Sequence, residues 1–320
     1  MWGYALRRLL WGAVIVLAVS GLVFLMFYVF PTGDPAALRA GRMASPEQID
    51  EVRRALGLDR PFYVQYGIFL RDLILHFDLG HSYQYGVPVT ELIGERAPVT
   101  FALVLGAAAI WLGVGIPVGM WSAARSGSLF DRFAGFGSLA LLSAPVFWIG
   151  YVALILFSVG AGSVLPLLPG IGAYIEADSL PERAAALILP CLVLGLSSAA
   201  IYVRLTRAVM SEQLESEYVT AARARGIPER EVLWSHAARS GFAPILAMLG
   251  IDLSLALAGN VVLIETVFNV PGVGSLLTQS IDRSDLPLTQ GIVLVAAGFV
   301  VLVNIAVDLI HALVDPRVTR

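Results

Sequence analysis

The sequence predicts an all-α membrane protein with six transmembrane helices. Composition is the first reason, because 58% of the 320 residues are hydrophobic, only 14% are charged, and the mean hydropathy is +0.79. So few polar residues cannot cover the surface of a water-soluble globule of this size. The second reason is a set of six long apolar runs, and the third is the way the arginines fall between them. Together these features place the chain in a membrane.

Six apolar runs are long enough to cross a hydrocarbon core about 30 Å thick, which takes about 20 helical residues. They are residues 9–30, 99–124, 133–159, 184–203, 241–264 and 286–314. The first run follows two arginines, as a signal peptide does. It is too long for a signal peptide, however, and residues 30–33 (Phe-Pro-Thr-Gly) lack a small-residue cleavage site. We therefore expect a retained anchor.

The arginines of the short loops give the orientation. If six helices alternate, these arginines all fall on one side, which the positive-inside rule assigns to the cytoplasm. They are Arg7, Arg8, Arg125, Arg132, Arg204, Arg207, Arg223, Arg225, Arg230, Arg239, Arg317 and Arg320. This pattern predicts cytoplasmic termini and three parts of the chain. Residues 1–30 contain the first helix, residues 31–98 form a large extracytoplasmic segment, and residues 99–320 form a five-helix core with a cytoplasmic loop at about 205–240.

The extracytoplasmic segment is predicted to be structured. Residues 45–48 (Ser-Pro-Glu-Gln) supply an N-cap, a proline at the first helical position and a capping-box glutamine, and Gly57 supplies a helix end. The apolar face of this helix consists of Ile49, Val52 and Leu56. Two further amphipathic stretches, 62–77 and 89–96, are expected along the membrane face or against the bundle. His76 and His81 lack a carboxylate partner at ligand spacing, so we expect no metal site here.

Several classes of function are excluded by what the sequence lacks. It contains no lysine, so it cannot form a phosphate-binding P-loop or a Schiff base, and any ATP dependence must come from a partner. A net charge of −3 argues against nucleic acid as a partner. Cys191 is the single cysteine and can form neither a disulfide framework nor a cysteine metal cluster. No H-E-x-x-H or G-x-S-x-G motif occurs, so we expect no catalytic residue, cofactor or metal on this chain.

The most informative inner loop is residues 217–231. Its alanine-rich start predicts a helix up to Arg225, followed by Gly226 in a left-handed cap and by Pro228 opening a second helix. The result is a helix-turn-helix that lies across the membrane surface. Ala221 and Ala222 should form a low surface that another protein can approach closely, flanked by arginines. The alternative is a loop that only joins two spans, although most such connections are much shorter.

Residues 220–222 (Thr-Ala-Ala) followed by Gly226 resemble the Glu-Ala-Ala loop of binding-protein-dependent ABC importer permeases, with Thr220 in the place of the glutamate. Residues 218–219 (Tyr-Val) and 223–226 (Arg-Ala-Arg-Gly) are similar to the dipeptide, oligopeptide and nickel branch of that family. Pro244 resembles the proline that closes the loop in this family. Further stretches similar to this branch are residues 57–61, 63–66, 78–80, 88–90, 143–148, 204–207, 265–268, 271–274 and 315–317.

The resemblance implies a type I importer permease fold and ATP-driven alternating access in the inner membrane of a bacterium or archaeon. It also implies a second homologous permease, two cytoplasmic ATPases that hold ATP and Mg²⁺, and an extracytoplasmic solute-binding protein. The residues implied to dock on the ATPases are Glu217, Tyr218, Thr220, Ala221, Ala222, Arg223, Ala224, Arg225, Gly226 and Pro228. Peptides fit the branch best, while nickel, glutathione or another small solute stays open. An ion-coupled secondary transporter, the alternative class, should show an inverted repeat, and we find none in the sequence.

Polar side chains inside the apolar runs are candidates for the translocation path. They are Asp252, Asn260, Glu265, Asn304 and Asp308. A charge inside lipid costs about 2.5–3.5 kcal/mol on insertion scales, so such groups should face the bundle or water. Asp252 lies nearest mid-span and is the main candidate, with Asn260 and Glu265 beside it; a helix–helix hydrogen bond is the alternative role for Asp252. Prolines that should loosen three helices, as hinges or as static kinks, are Pro117, Pro145 and Pro190.

Overall fold

The computed structural model describes residues 2–26, 34–41, 44–55, 57–159 and 162–314, and these are mostly helical. The α-helices are α1 (Trp2–Phe24), α2 (Pro35–Ala40), α3 (Pro46–Ala55), α4 (Phe62–His76), α5 (Val89–Ala124), α6 (Leu129–Ser143), α7 (Val146–Phe157), α8 (Ala173–Glu176), α9 (Leu180–Leu214), α10 (Glu217–Ala224), α11 (Glu229–Glu231), α12 (Ala238–Leu255), α13 (Val261–Phe268), α14 (Val273–Asp282) and α15 (Leu286–Val314). Two π-helical segments, Val232–Ala237 and Ala256–Asn260, join α11, α12 and α13 into one helical run. Some residues discussed above lie outside the described residues: Leu56, residues 30–33, and residues 315–320, which include Arg317 and Arg320.

The described helices confirm an all-α membrane protein. Five helical segments are long and apolar enough to cross a membrane: Leu6–Phe24, Val89–Ala124, Leu180–Leu214, Pro244–Phe268 and Leu286–Ile310. The chain bends by 107° between α6 and α7. A sixth span arises if these two helices count as one broken span. The six apolar runs of the sequence therefore correspond to five continuous spans and one bent pair.

The apolar run over 133–159 forms two helices, and the break lies at Pro145, one of the three prolines expected to loosen a span. Ala144 adopts an extended conformation, with φ −103° and ψ 136°, and Pro145 is the N-cap of α7. A proline disfavours helical geometry in the residue before it, so the chain turns sharply at this point. Pro145 therefore separates two helices, whereas Pro117 and Pro190 lie inside the continuous helices α5 and α9.

The amphipathic stretch 89–96 is not a separate helix, contrary to the prediction. It is the first part of α5, which continues through Pro98 to Ala124 over 36 residues. Gly94 does not have a positive φ, and the φ of about −65° that a proline imposes fits a helix, so no residue here forces a break. By contrast, the helix predicted after Ser45 is confirmed, because Ser45 and Gln48 form a reciprocal capping box with distances of 2.8 and 3.3 Å.

The chain forms two compact units. The first consists of Val99–Pro271 and the end of α15 from Val303, and the second of Trp2–Pro98 and Gly272–Leu302. One boundary coincides with the predicted limit between residues 98 and 99, but residues 272–302 group with the second unit. The predicted division into N-terminal, extracytoplasmic and core parts concerns membrane sides, and it stays a prediction.

In the first unit, α5 and α9 approach each other closely at glycines. A Cβ added to Gly119 would lie 2.7 Å from both the Cβ of Thr206 and the carbonyl oxygen of Val203. One added to Gly115 would lie 2.5 Å from the Cβ of Tyr202. Small residues let helix backbones come together inside a membrane, where packing replaces the hydrophobic effect. These contacts fix the position of α9, which leads directly to α10.

Gly119→Ala should destabilise the protein by about 1–3 kcal/mol, because the added Cβ meets backbone that cannot move without shifting a helix. Gly135→Ala on α6 is the matched control, since nothing lies within 4 Å of a Cβ at that position. Thermal unfolding of the detergent-purified protein measures both effects. Equal unfolding temperatures for the two variants would contradict the close crossing of α5 and α9.

In the second unit, a buried carboxylate organises the chain before α5. Asp285 is 1% exposed and accepts hydrogen bonds from Ser82 Oγ at 2.5 Å and from the backbone N–H groups of Tyr83 and Gln84 at 3.1 Å each. Its Oδ1 also accepts from the N–H of Leu288 at 3.4 Å. The carboxylate thus fastens the loop between α4 and α5 to the beginning of α15.

Candidate coupling loop and polar residues of the spans

The loop at 217–231 has the predicted helix-turn-helix form. Helix α10 follows α9 after the N-cap Ser216, and the turn to α11 contains Gly226 with φ +77°, so its predicted left-handed conformation is confirmed. The turn is held by backbone hydrogen bonds from Gly226 to Arg223 (2.9 Å) and from Ile227 to Ala222 (3.3 Å). Pro228 precedes α11 in an extended conformation, as a helix-opening residue should.

One face of α10 is buried against the rest of the first unit. Val219 is fully buried and Ala222 is 5% exposed. They pack with a cluster of apolar residues from α5, α9 and the run after α11: Met120, Ala123, Met210, Leu214, Val232, Leu233, Ala237 and Ala238. The prediction that Ala222 belongs to an exposed surface is therefore wrong. Its position three residues after Val219 places both side chains on the same helix face, and that face is the inner one.

The opposite face of α10 is exposed and made of small or polar side chains. Its members are Glu217, Thr220, Ala221 and Ala224, spaced three and four residues apart as one helix face requires. Thr220 Oγ1 donates to the carbonyl oxygen of Ser216 at 3.2 Å, so the threonine bonds within its own helix. Because two of the four side chains are methyl groups, another protein can approach the α10 backbone closely here. We call these four residues the outer face of α10.

Tyr218 and Arg225 flank the outer face of α10. The Tyr218 side chain is 41% exposed and its hydroxyl donates to Gln213 Oε1 at 2.8 Å, which ties it to the end of α9. Arg225 is exposed at the end of the helix. Both side chains place polar groups at the edge of the outer face of α10. Such groups contribute more to the orientation of a docking partner than to its affinity.

Arg223 fastens the two helices of the loop to each other. Its Nη2 and Nε donate to the two carboxylate oxygens of Glu229 at 2.6 and 3.1 Å, and its Nη1 donates to the carbonyl oxygen of Leu214 at 3.2 Å. These bonds hold the pKa of the Glu229 carboxyl below its usual value and raise the pKa of Arg223. A lowered folded-state pKa means that the pair stabilises the loop above the unfolded carboxyl pKa, and that this is lost only as the pH falls through the folded value. The pair is therefore intact at neutral pH.

A second ion pair lies about two turns before the end of α9. Arg207 Nε and Nη2 donate to the two carboxylate oxygens of Asp131 at 2.5 and 2.8 Å. Ser122 Oγ and the N–H of Gly127 donate to the same carboxylate at 2.5 and 2.9 Å, and the Asp131 side chain is only 8% exposed. Bidentate charge-assisted bonds of this kind fix geometry as well as charge. The pair joins α9 to the N-terminus of α6 and to the turn after α5.

The Asp131–Arg207 pair was not predicted from the sequence. Arg207 was considered for orientation and as part of the family-like stretch 204–207, and 76 residues separate the two partners. The local sequence indicates only the position of the carboxylate, because Ser128 accepts from the N–H of Asp131 as an N-cap and places Asp131 in the first turn of α6, where the helix dipole stabilises a negative charge.

The polar candidates of the translocation path are not brought together as one site. Asp252 is half-buried on α12, and its Oδ2 has no hydrogen-bond partner among the described residues. The buried hydroxyl of Tyr202 lies close enough to this carboxylate to interact with it electrostatically, although no hydrogen bond of ordinary geometry joins the two groups. Asn260 is exposed at the end of a π-helical segment. Glu265 is fully buried and accepts from Thr100 Oγ1 at 2.6 Å. Their assignment to a path stays a prediction.

Asn304 supports a structural role for part of this region. Its Nδ2 donates to Ser254 Oγ at 2.7 Å, and Ser254 Oγ in turn donates to the carbonyl oxygen of Gly250. This chain of bonds joins α15 to α12 within the first unit.

π-Helical segments such as Ala256–Asn260 occur often at functional sites, and this one begins one turn after Asp252.

Comparisons with known proteins give matches over nearly the whole chain. The sequence-family model of the binding-protein-dependent transport system inner membrane component matches residues 115–320. A second family model, of the N-terminal part of such components, matches residues 1–104. A putative peptide transport system permease protein of Brucella abortus (strain 2308) is 41% identical over 315 residues, 98% of each chain. The dipeptide transport system permease protein DppB of Escherichia coli K12 is 35% identical over 337 residues, again 98% of each chain. DppB of Alkalihalophilus pseudofirmus is 32% identical over 334 residues, 99% of each chain.

The two models together cover almost the whole chain, and the first alone covers more than half of it. The chain therefore belongs to the family of binding-protein-dependent transport system inner membrane components, and it is a multi-pass permease subunit of an ABC importer.

Proposed function

We propose that this permease imports short peptides, forming the translocation path with a second homologous permease. Two cytoplasmic ATPases, which bind ATP and Mg²⁺, drive the cycle, and an extracytoplasmic solute-binding protein delivers the peptide. The observation that carries the coupling part is the outer face of α10, which is exposed, flat and held beside a left-handed glycine. The relatives described above, a putative peptide permease and two dipeptide permeases, support the substrate class.

The geometry of the loop supports a lever mechanism. When the ATPases close, they press on the outer face of α10, while its buried face transmits the movement to the ends of α5 and α9. The Arg223–Glu229 pair keeps the loop in one piece, and the Asp131–Arg207 pair makes α9 and α6 move together. Alternating access then follows from rearrangement of the helices that line the path. No step of this cycle requires a catalytic side chain on the permease.

ATP hydrolysis should belong entirely to the partners. The sequence has no lysine, and a P-loop needs one to contact the phosphates. Purified alone, the chain should therefore show no ATP turnover. Specific turnover that survives removal of every ATPase subunit would contradict this part of the proposal.

The proposed orientation places both termini and the loop at 217–231 in the cytoplasm, and residues 31–98 outside. Single cysteines at Glu229 and Glu47 test it in intact cells with a membrane-impermeant thiol reagent. Labelling is expected at Glu47→Cys only. Labelling at Glu229→Cys from outside, without labelling at Glu47→Cys, would invert the topology.

The substrate class can be tested by uptake into vesicles that contain the two permeases and the two ATPases. With the binding protein outside and ATP inside, labelled dipeptides should accumulate, and omission of either component should abolish accumulation. Nickel and glutathione are the competing solutes. Accumulation of one of these without any accumulation of dipeptides would contradict the peptide assignment and favour the corresponding alternative.

Asp252 is proposed to give the path a negative position that favours cationic groups. Asp252→Asn keeps the shape and removes the charge, so uptake of a lysine-containing dipeptide should fall more than uptake of a neutral one. The expected difference is about tenfold, the effect of one charge-assisted hydrogen bond. Equal losses for both peptides at unchanged protein level would assign Asp252 to helix packing instead.

A further inference from the structure

The second unit contains a polar pocket that the coupling mechanism does not use. Its volume is about 350 Å³, and it lies between α2, α4, the loop after α4 and the first turns of α15. The lining residues that matter here are Arg39, Asp72, Asp78, His81, Tyr83 and Gln290. The volume is at the small end of the range for ligand sites in proteins, so the pocket suits a small solute.

Gln290 gives the first indication of a ligand. It is 2% exposed, it lines the pocket, and its Nε2 has no hydrogen-bond partner among the described residues. A buried amide nitrogen without an acceptor is costly, and native proteins rarely leave one unexplained. An acceptor oxygen from a ligand in the pocket would remove this cost once the Gln290 side chain turns its buried Nε2 towards it. The wall of the pocket therefore favours a carboxylate or a carbonyl group.

Arg39 adds a positive charge to the same pocket. Its guanidinium lies 5.4 Å from the centre of the Tyr83 ring, and its Nη1 donates to the carbonyl oxygen of Ser82 at 3.3 Å. That bond uses one of the five N–H donors of the guanidinium. A planar guanidinium held against an aromatic ring is well suited to pair with a carboxylate.

Two carboxylates give the pocket the opposite charge as well. Asp78 Oδ1 accepts from the N–H of Gly80 at 2.8 Å. Asp72 Oδ1 contacts Arg71 Nη2 at 2.7 Å and lies 3.9 Å from His76 Nδ1, so the statement that His76 lacks a carboxylate at ligand spacing is wrong. The two carboxylates and the guanidinium thus present both signs of charge in one small space. This arrangement complements a ligand that itself carries both an anion and a cation.

The loop that carries this side of the pocket is preorganised. Asp285 holds Ser82, Tyr83 and Gln84 in place, and the N–H of Val89 donates to the carbonyl oxygen of Gly80 at 3.0 Å. A site that is already shaped loses less conformational entropy when a ligand binds.

We propose that this pocket binds a small zwitterion, such as the charged ends of a short peptide. The ligand carboxylate accepts from Gln290 Nε2 and from the Arg39 guanidinium, and the ligand ammonium group donates to Asp78 and Asp72. The choice of a peptide rests on the proposed function, whereas the demand for a zwitterion rests on the pocket. In the proposed topology the pocket lies on the extracytoplasmic side, so it is an entry subsite on the permease itself.

Dialanine binding to the complex of permeases and ATPases, without the solute-binding protein and without ATP, tests the proposal by calorimetry. Wild type should bind dialanine, and N-acetyl-dialanine and dialanine amide should each bind at least tenfold more weakly. Gln290→Leu and Asp78→Asn should each weaken dialanine binding by about 10- to 100-fold, the range for a hydrogen bond to a charged group. Glu51→Gln, an exposed change on α3 of the same unit, should leave binding unchanged.

The outcomes separate this inference from the proposed function. Dialanine binding that depends on Gln290 in a complex that transports no peptide would overturn the peptide-importer proposal and support the pocket. Peptide uptake by a complex that binds no dialanine at up to about 10 mM, or that binds the two blocked derivatives equally well, would overturn the pocket. Unchanged dialanine affinity in Gln290→Leu, with loss of docking of the solute-binding protein, would also overturn it, because the pocket would then hold a protein segment. Thermal unfolding of each variant confirms that the second unit is folded.

Discussion

Arg207→Met is expected to lower both the stability of the permease and the coupling of ATP hydrolysis to uptake. The substitution keeps much of the side-chain volume but leaves the Asp131 carboxylate, 8% exposed, without its cation. Removing one partner of a buried pair costs about 3–5 kcal/mol, and we expect the lower end because Arg207 itself is 38% exposed. Thermal unfolding of the purified complex and ATP-driven uptake in vesicles measure the two effects.

Two further variants identify the cause. Arg204→Met, an exposed arginine on the same helix, should be close to wild type. Adding Asp131→Asn to Arg207→Met should restore part of the stability, because the unpaired buried charge is then gone. Coupling should stay low in this double variant, since α9 and α6 are no longer joined by the bidentate contact. Normal stability and normal uptake in Arg207→Met would show that the pair has neither role.

Gly226→Val should reach the membrane and assemble, yet lose ATP hydrolysis that depends on the binding protein. The open space around Gly226 could hold a side chain, because nothing lies within 4 Å of an added Cβ. The backbone is the obstacle, since φ +77° is a conformation that costs a β-branched residue about 1–3 kcal/mol. The turn would change its angle, and the outer face of α10 would point away from the ATPase. Gly226→Asn, which tolerates this conformation better, should keep more activity.

Tryptophan substitutions on the two faces of α10 separate docking from folding. Ala221→Trp places bulk on the outer face and should give a normal yield of folded protein with little coupled ATP hydrolysis. Ala222→Trp places the same bulk in the buried cluster and should lower the free energy of unfolding by about 1–3 kcal/mol. The yield of folded protein or its unfolding temperature should fall as a result. Normal coupling in both Ala221→Trp and Gly226→Val, with normal subunit composition, would mean that this loop is only a connector.

Features set by neighbouring residues could be predicted from the sequence. The capping box of Ser45 and Gln48 and the left-handed Gly226 depend on groups within a few positions along the chain, so local rules suffice. The length of the apolar runs also has a purely local signature. Ala222 shows the limit of prediction from local sequence rules. Whether that alanine faces a partner or the core depends on where α5 and the segment after α11 lie, and its own sequence context contains no information about either.

Contacts between distant parts of the chain could not be predicted. The Asp131–Arg207 pair joins residues 76 positions apart, and the unpartnered Nε2 of Gln290 becomes visible only when α15 packs beside the loop after α4. The break at Pro145 was underestimated for another reason, since a proline inside an apolar run can either bend a helix or end it. The extended conformation of Ala144 decided this case.

Site-specific cross-linking between the outer face of α10 and the ATPase tests the coupling assignment most directly. In a Cys191→Ala background, single cysteines at Ala221, Ala224 and Glu47 are treated with a short bifunctional thiol reagent in the assembled complex. Ala221→Cys and Ala224→Cys should cross-link to the ATPase with a yield that changes on addition of ATP, and Glu47→Cys should not. A complex of normal composition and full uptake that shows no cross-link from either α10 position, with or without ATP, would contradict the account.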